Sequence, residues 1–249
     1  MTDVGTTVLD GHVGLLEIRR GPDNFFDVPL LAALLDGCTR LTQEGCRAVV
    51  LASEGKHFCA GADYAQGDPG EGPELFDLAY LLFEQPLPMV AAVQGAAVGG
   101  GLGLALVADI RVAAPQARFS AAFARLGISH GFGLTLTLPA LVGQQAAFDL
   151  LYTGRRVPGE EAHRLGLVDH LAPVDALRDR AIDVAEEIAS SAPLAVASIR
   201  ATMRRPLLDG LRTALAHERA EQQRLKHTDD AREGIAAMAE RRRPAFTGQ

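Results

Sequence analysis

The stretch Gly95–Arg111, GAAVGGGLGLALVADIR, contains three consecutive glycines, Gly99 to Gly101, and no charged residue before Asp109. The run PMVAAV that precedes it is typical of a buried strand, and the apolar residues after the glycines favour a helix. Where a strand turns directly into a helix, the first backbone N–H groups of the helix have no partner within it. Glycines at that point let another group approach these donors closely. The stretch therefore predicts either a turn that binds a ligand or a tight packing contact.

A second turn of the same kind lies in GKHFCAGADY, residues 55–64, after the buried-strand run CRAVVLAS. The segment Ala60-Gly61-Ala62-Asp63 is predicted to begin a new helix, with Asp63 favourably placed near its N-terminus. One N–H group from each turn would form an oxyanion hole, which stabilises a carbonyl oxygen that gains negative charge. Tight packing of both glycine turns is the alternative interpretation.

Two other interpretations of the glycine stretch are weaker. No charge stands between Glu84 and Asp109, so the segment is long enough to cross a bilayer, but Pro86 and Pro88 interrupt it. A dinucleotide-binding fingerprint would need a third glycine or alanine, and Leu106 stands at that position. Neither a membrane span nor a dinucleotide cofactor is predicted.

The composition describes an ordinary globular chain. The 249 residues are 48% hydrophobic, which is enough for a sizeable core. The net charge of -7 argues against nucleic acid or an anionic membrane as a partner. Cys38, Cys46 and Cys59 have no paired or metal-ligand spacing, so reduced structural thiols and no metal site are expected. No secretory signal is visible at the N-terminus, and a cytoplasmic location is expected.

Strand and helix patterns alternate along the first part of the chain. Two short apolar runs flank Asp10-Gly11, which is a strong hairpin signal. The segment 28–41 places its leucines on one helical face, and the runs 46–53 and 88–93 are typical of buried strands. Such repeated strand–helix units predict an α/β layered core. Beyond about Gln144 the patterns are mainly helical.

Six segments, taken in order, resemble the crotonase (enoyl-CoA hydratase/isomerase) superfamily along nearly the whole chain. They are HFCAGAD, VQGAAVGGGLGLALVADIRVAA, ARFSAAFARLGIS, LPALVG, TGRRVPGEEAHRLGLVDHLAP and DAREGIAAMAERRRPAFTG. The resemblance implies an α/β fold, a spiral of repeated ββα units that binds acyl-CoA over residues 1–192. It also implies a C-terminal helical region, residues 193–249, that builds a homotrimer or hexamer and covers the coenzyme A site. The substrate would be an acyl-CoA thioester, and no further cofactor is expected.

The same resemblance assigns roles in the two glycine turns. Ala62 and Gly100 would donate the two N–H groups to the thioester carbonyl and so stabilise an enolate, with Ala60, Gly61 and Asp63 around the substrate.

Three positions depart from the family pattern. Where hydratases of the superfamily carry two glutamates, this chain has Gly103 and Phe123, and where some isomerases and dehalogenases carry an aspartate it has Gly131. Ordinary two-glutamate hydration is therefore not expected. Phe123 and Phe132 instead predict a dry acyl pocket that accepts an apolar acyl chain. Phe26 would either pack beside the coenzyme or simply cover the sheet.

Histidine titrates near neutral pH, so His130, beside Gly131, is the candidate acid–base group. The alternative is a loop histidine that binds backbone or water. Tyr64, Asp68 and Glu71 are candidates to lend a group to the pocket, although each alone is more typical of a solvated loop.

Other polar residues leave two interpretations open. His57 and Lys56 would order the turn at residues 55–64 or contact a ligand phosphate, and Lys56 has plain solvation as its alternative. The tail residues Arg241 to Arg243 and Phe246 are candidates to close over the coenzyme of the same or a neighbouring chain. Overall, two functional classes remain: an enzyme that stabilises an acyl-CoA enolate, and a non-catalytic acyl-CoA-binding homologue.

Overall fold

The computed structural model describes residues 3–63 and 73–249. In that part of the chain the strands are β1 (Val4–Val8), β2 (Val13–Ile18), β3 (Ala48–Ser53), β4 (Met89–Val93), β5 (Ala96–Val98), β6 (Ile110–Ala113), β7 (Arg118–Ser120), β8 (Val157–Pro158) and β9 (His170–Leu171). The helices are α1 (Val28–Gln43), α2 (Pro73–Glu84), α3 (Gly100–Val107), α4 (Leu134–Val142), α5 (Gln144–Thr153), α6 (Gly159–Arg164), α7 (Leu177–Ala189), α8 (Pro193–Leu225) and α9 (Asp229–Ala239).

The strands form two sheets. The larger sheet has the order β1-β2-β3-β4-β6-β9, and the smaller one has the order β5-β7-β8. β1 and β2 form the predicted antiparallel hairpin, with a short 3-10 turn at Asp10–His12 between them. From β2 onward, the neighbouring strands of the larger sheet run parallel.

Successive units of the chain place one strand in each sheet and then a helix. β4, β5 and α3 form one such unit, and β6, β7 and α4 form the next. The unit of β3 is similar, because Cys59 makes a parallel bridge to Ala97 of β5. β5 and β7 also run parallel to each other, so the second strands of successive units are neighbours in the smaller sheet. The predicted α/β spiral of ββα units is confirmed.

Both faces of the larger sheet are covered. Val49, Leu51 and their equivalents in β4 face the main core, while Val50 and Val90 face a second cluster formed with α7. Successive residues of a strand point to opposite faces, so burial on both sides requires the continuous apolar runs seen in the sequence.

Helix α8 packs against α2 and α4, and α9 packs against the 3-10 turn at Ala122–Leu126. Asp109, at the start of β6, accepts hydrogen bonds from Arg200 Nε at 2.9 Å and from Arg204 Nε at 2.8 Å. Both arginines lie on α8, so one carboxylate links this long helix to the sheet. The boundary at residues 192 and 193 and the oligomeric state stay predictions. No helix of residues 3–63 and 73–249 is long and apolar enough to cross a membrane.

The expected helix start at Ala60–Asp63 is wrong. Residues 60–63 are not helical, and the helix that is next described along the chain begins at Pro73. Gly61 has φ +96°, which a right-handed helix excludes. The segment instead binds its neighbours, since the N–H of Phe26 donates to the carbonyl oxygen of Gly61 at 3.0 Å.

Candidate active site

A cavity of about 1210 Å³ lies between the two glycine turns and the C-terminal helices. The inner part of its wall is formed by Phe26, Ala60, Gly61, Ala62, Leu75, Phe76, Val98, Gly99, Gly100, Phe123, Ile128, Gly131 and Phe132. Further out, the wall carries residues of α8, α9 and the tail. The cavity is therefore apolar at one end, and it includes both turns that the sequence singled out.

The two turns lie side by side because their backbones are paired. The N–H of Cys59 donates to Ala96 at 3.0 Å, and the N–H of Val98 donates back to Cys59 at 3.1 Å. The approach is so close that a Cβ atom at Gly101 would lie 2.1 Å from the carbonyl oxygen of Cys59. Gly101 is therefore required for packing, which is the tight packing contact that the sequence analysis gave as the alternative for the Gly95–Arg111 stretch.

Gly100 has a different role from Gly101. It is the first residue of α3, and the preceding Gly99 offers no side-chain cap. Within residues 3–63 and 73–249, neither the N–H of Gly100 nor that of Ala62 donates to any acceptor. Because both residues lie on the cavity wall, the cavity has two unused backbone donors, one from each turn.

Phe26 lies directly over α3. A Cβ atom at Gly100 would be 2.3 Å from the Phe26 ring, so glycine is needed for the ring to lie there. The buried Asn24 holds the preceding loop, since its Nδ2 donates to the carbonyl oxygens of Glu54 at 2.7 Å and His57 at 2.6 Å. Sequence reasoning did not single out Asn24, although a buried asparagine with φ +51° has a clear positioning role.

Gly103, Phe123 and Gly131, which the resemblance matches to carboxylate positions, are packed against other side chains. A Cβ atom at Gly103 would lie 2.5 Å from Cβ of Phe132, and one at Gly131 would lie 2.7 Å from Nε2 of Gln222. The Phe123 ring packs near Gly99, 3.6 Å from the place of a Cβ atom there. Among the described residues, the inner wall of the cavity carries no carboxylate.

His130 is not part of the described cavity wall, although its neighbour Gly131 is. Its Nε2 lies 2.9 Å from Oγ1 of Thr135, and that hydroxyl donates to Oε1 of Glu218 at 2.6 Å. The hydroxyl proton is thus used, so the contact requires a proton on Nε2 of His130. Burial lowers the pKa of His130, with a further lowering by His217, while Glu218 opposes the shift. The catalytic role of His130 stays a prediction.

Cys59 and His57, in the turn at residues 55–64, have contacts that point to structural roles. Burial raises the pKa of the Cys59 thiol to about 12, so this thiol stays protonated and is a poor nucleophile. Nδ1 of His57 accepts the N–H of Ala96 at 3.2 Å, a contact that orders the turn. Burial also lowers the pKa of His57. Neither residue is part of the described cavity wall.

Basic side chains surround the outer part of the cavity. They are Arg125, Arg156, Lys226, Arg241, Arg242 and Arg243. The tail is folded back on α9, because Asp230 accepts the N–H groups of Thr247 at 2.6 Å and Gly248 at 2.9 Å. This contact keeps the three arginines of the tail at the cavity.

Not all predicted site residues are brought together. Asp63 is outside the described wall, and Gly103 lies beneath Phe132. Tyr64, Asp68 and Glu71 lie outside the described residues. In the part of the chain that is described, no group of three or more His, Cys, Asp or Glu side chains is arranged to hold a metal ion. The expected absence of a cofactor stays a prediction.

Comparison with known proteins identifies the family. A family model for enoyl-CoA hydratase/isomerase matches residues 10–249. The chain is 36% identical to a carnitinyl-CoA dehydratase of Citrobacter koseri over 81% of each chain. It is 34% identical to (E)-benzylidenesuccinyl-CoA hydratase of Thauera aromatica over 98% of each chain. A solved enoyl-CoA hydratase/isomerase of Pseudoalteromonas atlantica superposes with a TM-score of 0.90, at 30% identity over 98% of this chain and 100% of the other.

The chain belongs to the enoyl-CoA hydratase/isomerase family of the crotonase superfamily. It is an enzyme of the hydratase/isomerase type.

Proposed function

We propose that the enzyme binds an acyl-CoA thioester in the cavity, with the carbonyl oxygen between the N–H groups of Ala62 and Gly100. The observation that carries this proposal is the pair of backbone donors that share one apolar cavity and have no acceptor in the described chain. Both named relatives act on coenzyme A thioesters, as their names state.

Two fixed N–H donors suit a reaction in which the thioester oxygen gains charge. When water adds to C3 of a 2-enoyl thioester, the electron pair of the double bond moves onto that oxygen and forms an enolate, which is then protonated at the carbon next to the carbonyl. Donors already in place stabilise this anion without reorganising, and one such donor typically contributes about 3 kcal/mol to the transition state. The apolar surroundings strengthen the interaction, since little water competes for the oxygen.

The proton-transfer group differs from that of a two-glutamate hydratase, because positions 103, 123 and 131 carry glycine, phenylalanine and glycine. His130 remains our candidate. Its peptide adjoins the cavity through Gly131, and its lowered pKa keeps the imidazole neutral at physiological pH. A neutral imidazole is able to accept a proton.

The basic outer wall suits the phosphate groups of coenzyme A. Arginine forms strong paired hydrogen bonds to phosphate, and Arg125, Arg156 and the three tail arginines all line this part of the cavity. The apolar inner wall would then receive the acyl group. We further propose a homotrimer or hexamer, whose neighbouring chain would complete the outer wall.

The experiment is to incubate the protein with 2-enoyl-CoA thioesters of increasing chain length and follow them by mass spectrometry. We expect gain of water, detected as a mass increase, or a shift of the double bond, detected by fragmentation. The His130→Ala variant should lose conversion while retaining affinity for the thioester. The absence of conversion of every thioester, together with tight binding, would favour the non-catalytic alternative. Full activity of the variant would exclude His130 as the acid–base group.

A further inference from the structure

Phe132 has an unusual backbone conformation. Its φ angle is +61°, and Gly133 beside it has φ +76°. A bulky aromatic residue rarely occupies this left-handed region, and strain of this kind persists only where the surroundings impose it. The side chain is 2% exposed, so the conformation places the ring in a packed environment.

The surroundings that impose this turn come from the C-terminal helix α8. Oε2 of Glu218 accepts the N–H of Gly133 at 2.9 Å, and Oε1 accepts the N–H of Thr135 at 2.9 Å. The N-terminus of α4 has no cap from its own N-cap residue, Gly133. The Glu218 carboxylate, 1% exposed, provides that cap from a different helix and fixes the turn.

The ring of Phe132 lies between the cavity and the core. It meets the Phe26 ring edge-on, with 5.6 Å between the centroids, and both rings line the cavity. Behind it lies Phe83, whose ring centroid is 6.5 Å away and which is fully buried. Phe132 also covers Gly103, where a Cβ atom would be 2.8 Å from its ring. Removing the ring would extend the cavity towards Phe83 and the surface of α3.

We propose that Phe132 is a specificity-determining residue that closes the acyl end of the cavity and selects short apolar acyl groups, and that Glu218 is its positioning residue. This inference rests on the proposed function, since it concerns the acyl group of the same thioester. It gives the strained aromatic residue at this turn a role: its ring limits how far an acyl chain can enter.

The test measures binding of saturated acyl-CoA thioesters of 4 to 12 carbons by calorimetry, to the wild type, Phe132→Ala and Phe132→Leu. Saturated thioesters have no double bond to hydrate or move, so the result does not depend on turnover. In the wild type, we expect affinity to stop rising at a short chain. In the variants it should continue to rise, by about fourfold for each further methylene that is buried. Phe119→Leu is the matched control, because Phe119 is fully buried but does not line the cavity.

An unchanged chain-length profile in both folded Phe132 variants would overturn the inference. Failure of every thioester to bind the wild type is a different result, which would overturn the proposed function itself. Phe132→Leu retains an apolar side chain and keeps the test possible if the alanine variant does not fold.

The role of Glu218 has its own test. Glu218→Gln should raise the affinity for a 10-carbon acyl chain relative to a 4-carbon chain by about threefold, because the amide nitrogen cannot accept a hydrogen bond and one of the two backbone hydrogen bonds is lost. In a Phe132→Ala background the same substitution should leave that ratio unchanged. An equal change in both backgrounds, or no change in either, would show that Glu218 does not act through Phe132.

Discussion

The two sides of the inner cavity are built in different ways. At the glycine turns, the groups that we assign to the thioester are backbone N–H groups, held by strand pairing between Cys59 and the Ala96–Val98 segment. Around Gly103 and Gly131, the wall consists of side chains from distant parts of the chain, Phe132 and Gln222. The first side has little freedom to vary because backbone atoms touch. The second can change its chemistry through single side chains.

The largest effect is expected on the backbone side. Gly101→Ala places a Cβ atom 2.1 Å from the carbonyl oxygen of Cys59, and neither backbone segment can move without breaking the strand pairing. The free energy of unfolding should fall by at least about 3 kcal/mol. Chemical denaturation measures this change. Gly210→Ala in α8 is the control, since the nearest contact of its Cβ atom would be a side-chain atom at 3.3 Å. A comparable loss of unfolding free energy in Gly210→Ala would show that the backbone contact at Gly101 has no special cost.

A smaller effect, which a second substitution should partly reverse, is expected in the side-chain wall. Gly103→Ala meets Phe132 and should cost about 2 kcal/mol of unfolding free energy. Combined with Phe132→Gly, which removes both the Cβ atom and the ring, the cost of the Gly103 change should fall by about 1 kcal/mol or more, because nothing of the side chain that it meets is left. A double-mutant cycle by denaturation gives this coupling. Strict additivity would mean that Phe132 does not occupy the space above Gly103.

The smallest effect concerns pH. The pKa of His130 is lowered in the folded state, so between its folded and ordinary values the unfolded chain binds more protons. The contribution of His130 to the free energy of unfolding is therefore fully present above about pH 6.5. It is lost as the pH falls through the folded pKa. Denaturation at pH 7.5, 6.5 and 5.5 should show a weaker pH dependence for His130→Gln than for the wild type. His57 contributes in the same direction, and replacement of the exposed His12 is the control. If the free energy of unfolding of His130→Gln depends on pH as steeply as that of the wild type, the lowered pKa assigned to His130 is wrong.

Much of the backbone side could be predicted from the sequence. Continuous apolar runs indicated the buried strands, and clusters of glycine indicated close approach of two chain segments. The helix start at Ala60–Asp63 was predicted wrongly, because local preferences do not show that Gly61 has φ +96° and pairs with Phe26. Long-range pairing determined the conformation of this turn.

The side-chain wall was less accessible to sequence reasoning. The sequence shows Gly103, Phe123 and Gly131, but not which side chains fill the space beside them. Glu218 and Gln222 stand among many charged and polar residues of α8, where a buried carboxylate has no local signal that separates it from a solvated one. The conformation of Phe132 depends on Glu218, which is 86 positions away in sequence (218 − 132).

The central claim is that the N–H of Gly100 binds the thioester oxygen. Its most direct test compares Gly100→Pro with Gly100→Ala, both combined with Phe26→Ala to make room for the new side chain. Proline is well tolerated at the first position of a helix, and it lacks the N–H donor that alanine retains, although its ring also places Cδ where the proton was. On the enoyl-CoA that the wild type converts best, kcat of the proline variant should be lower than that of the alanine variant by a factor of about 100 or more. Equal kcat values in two folded variants would contradict the claim.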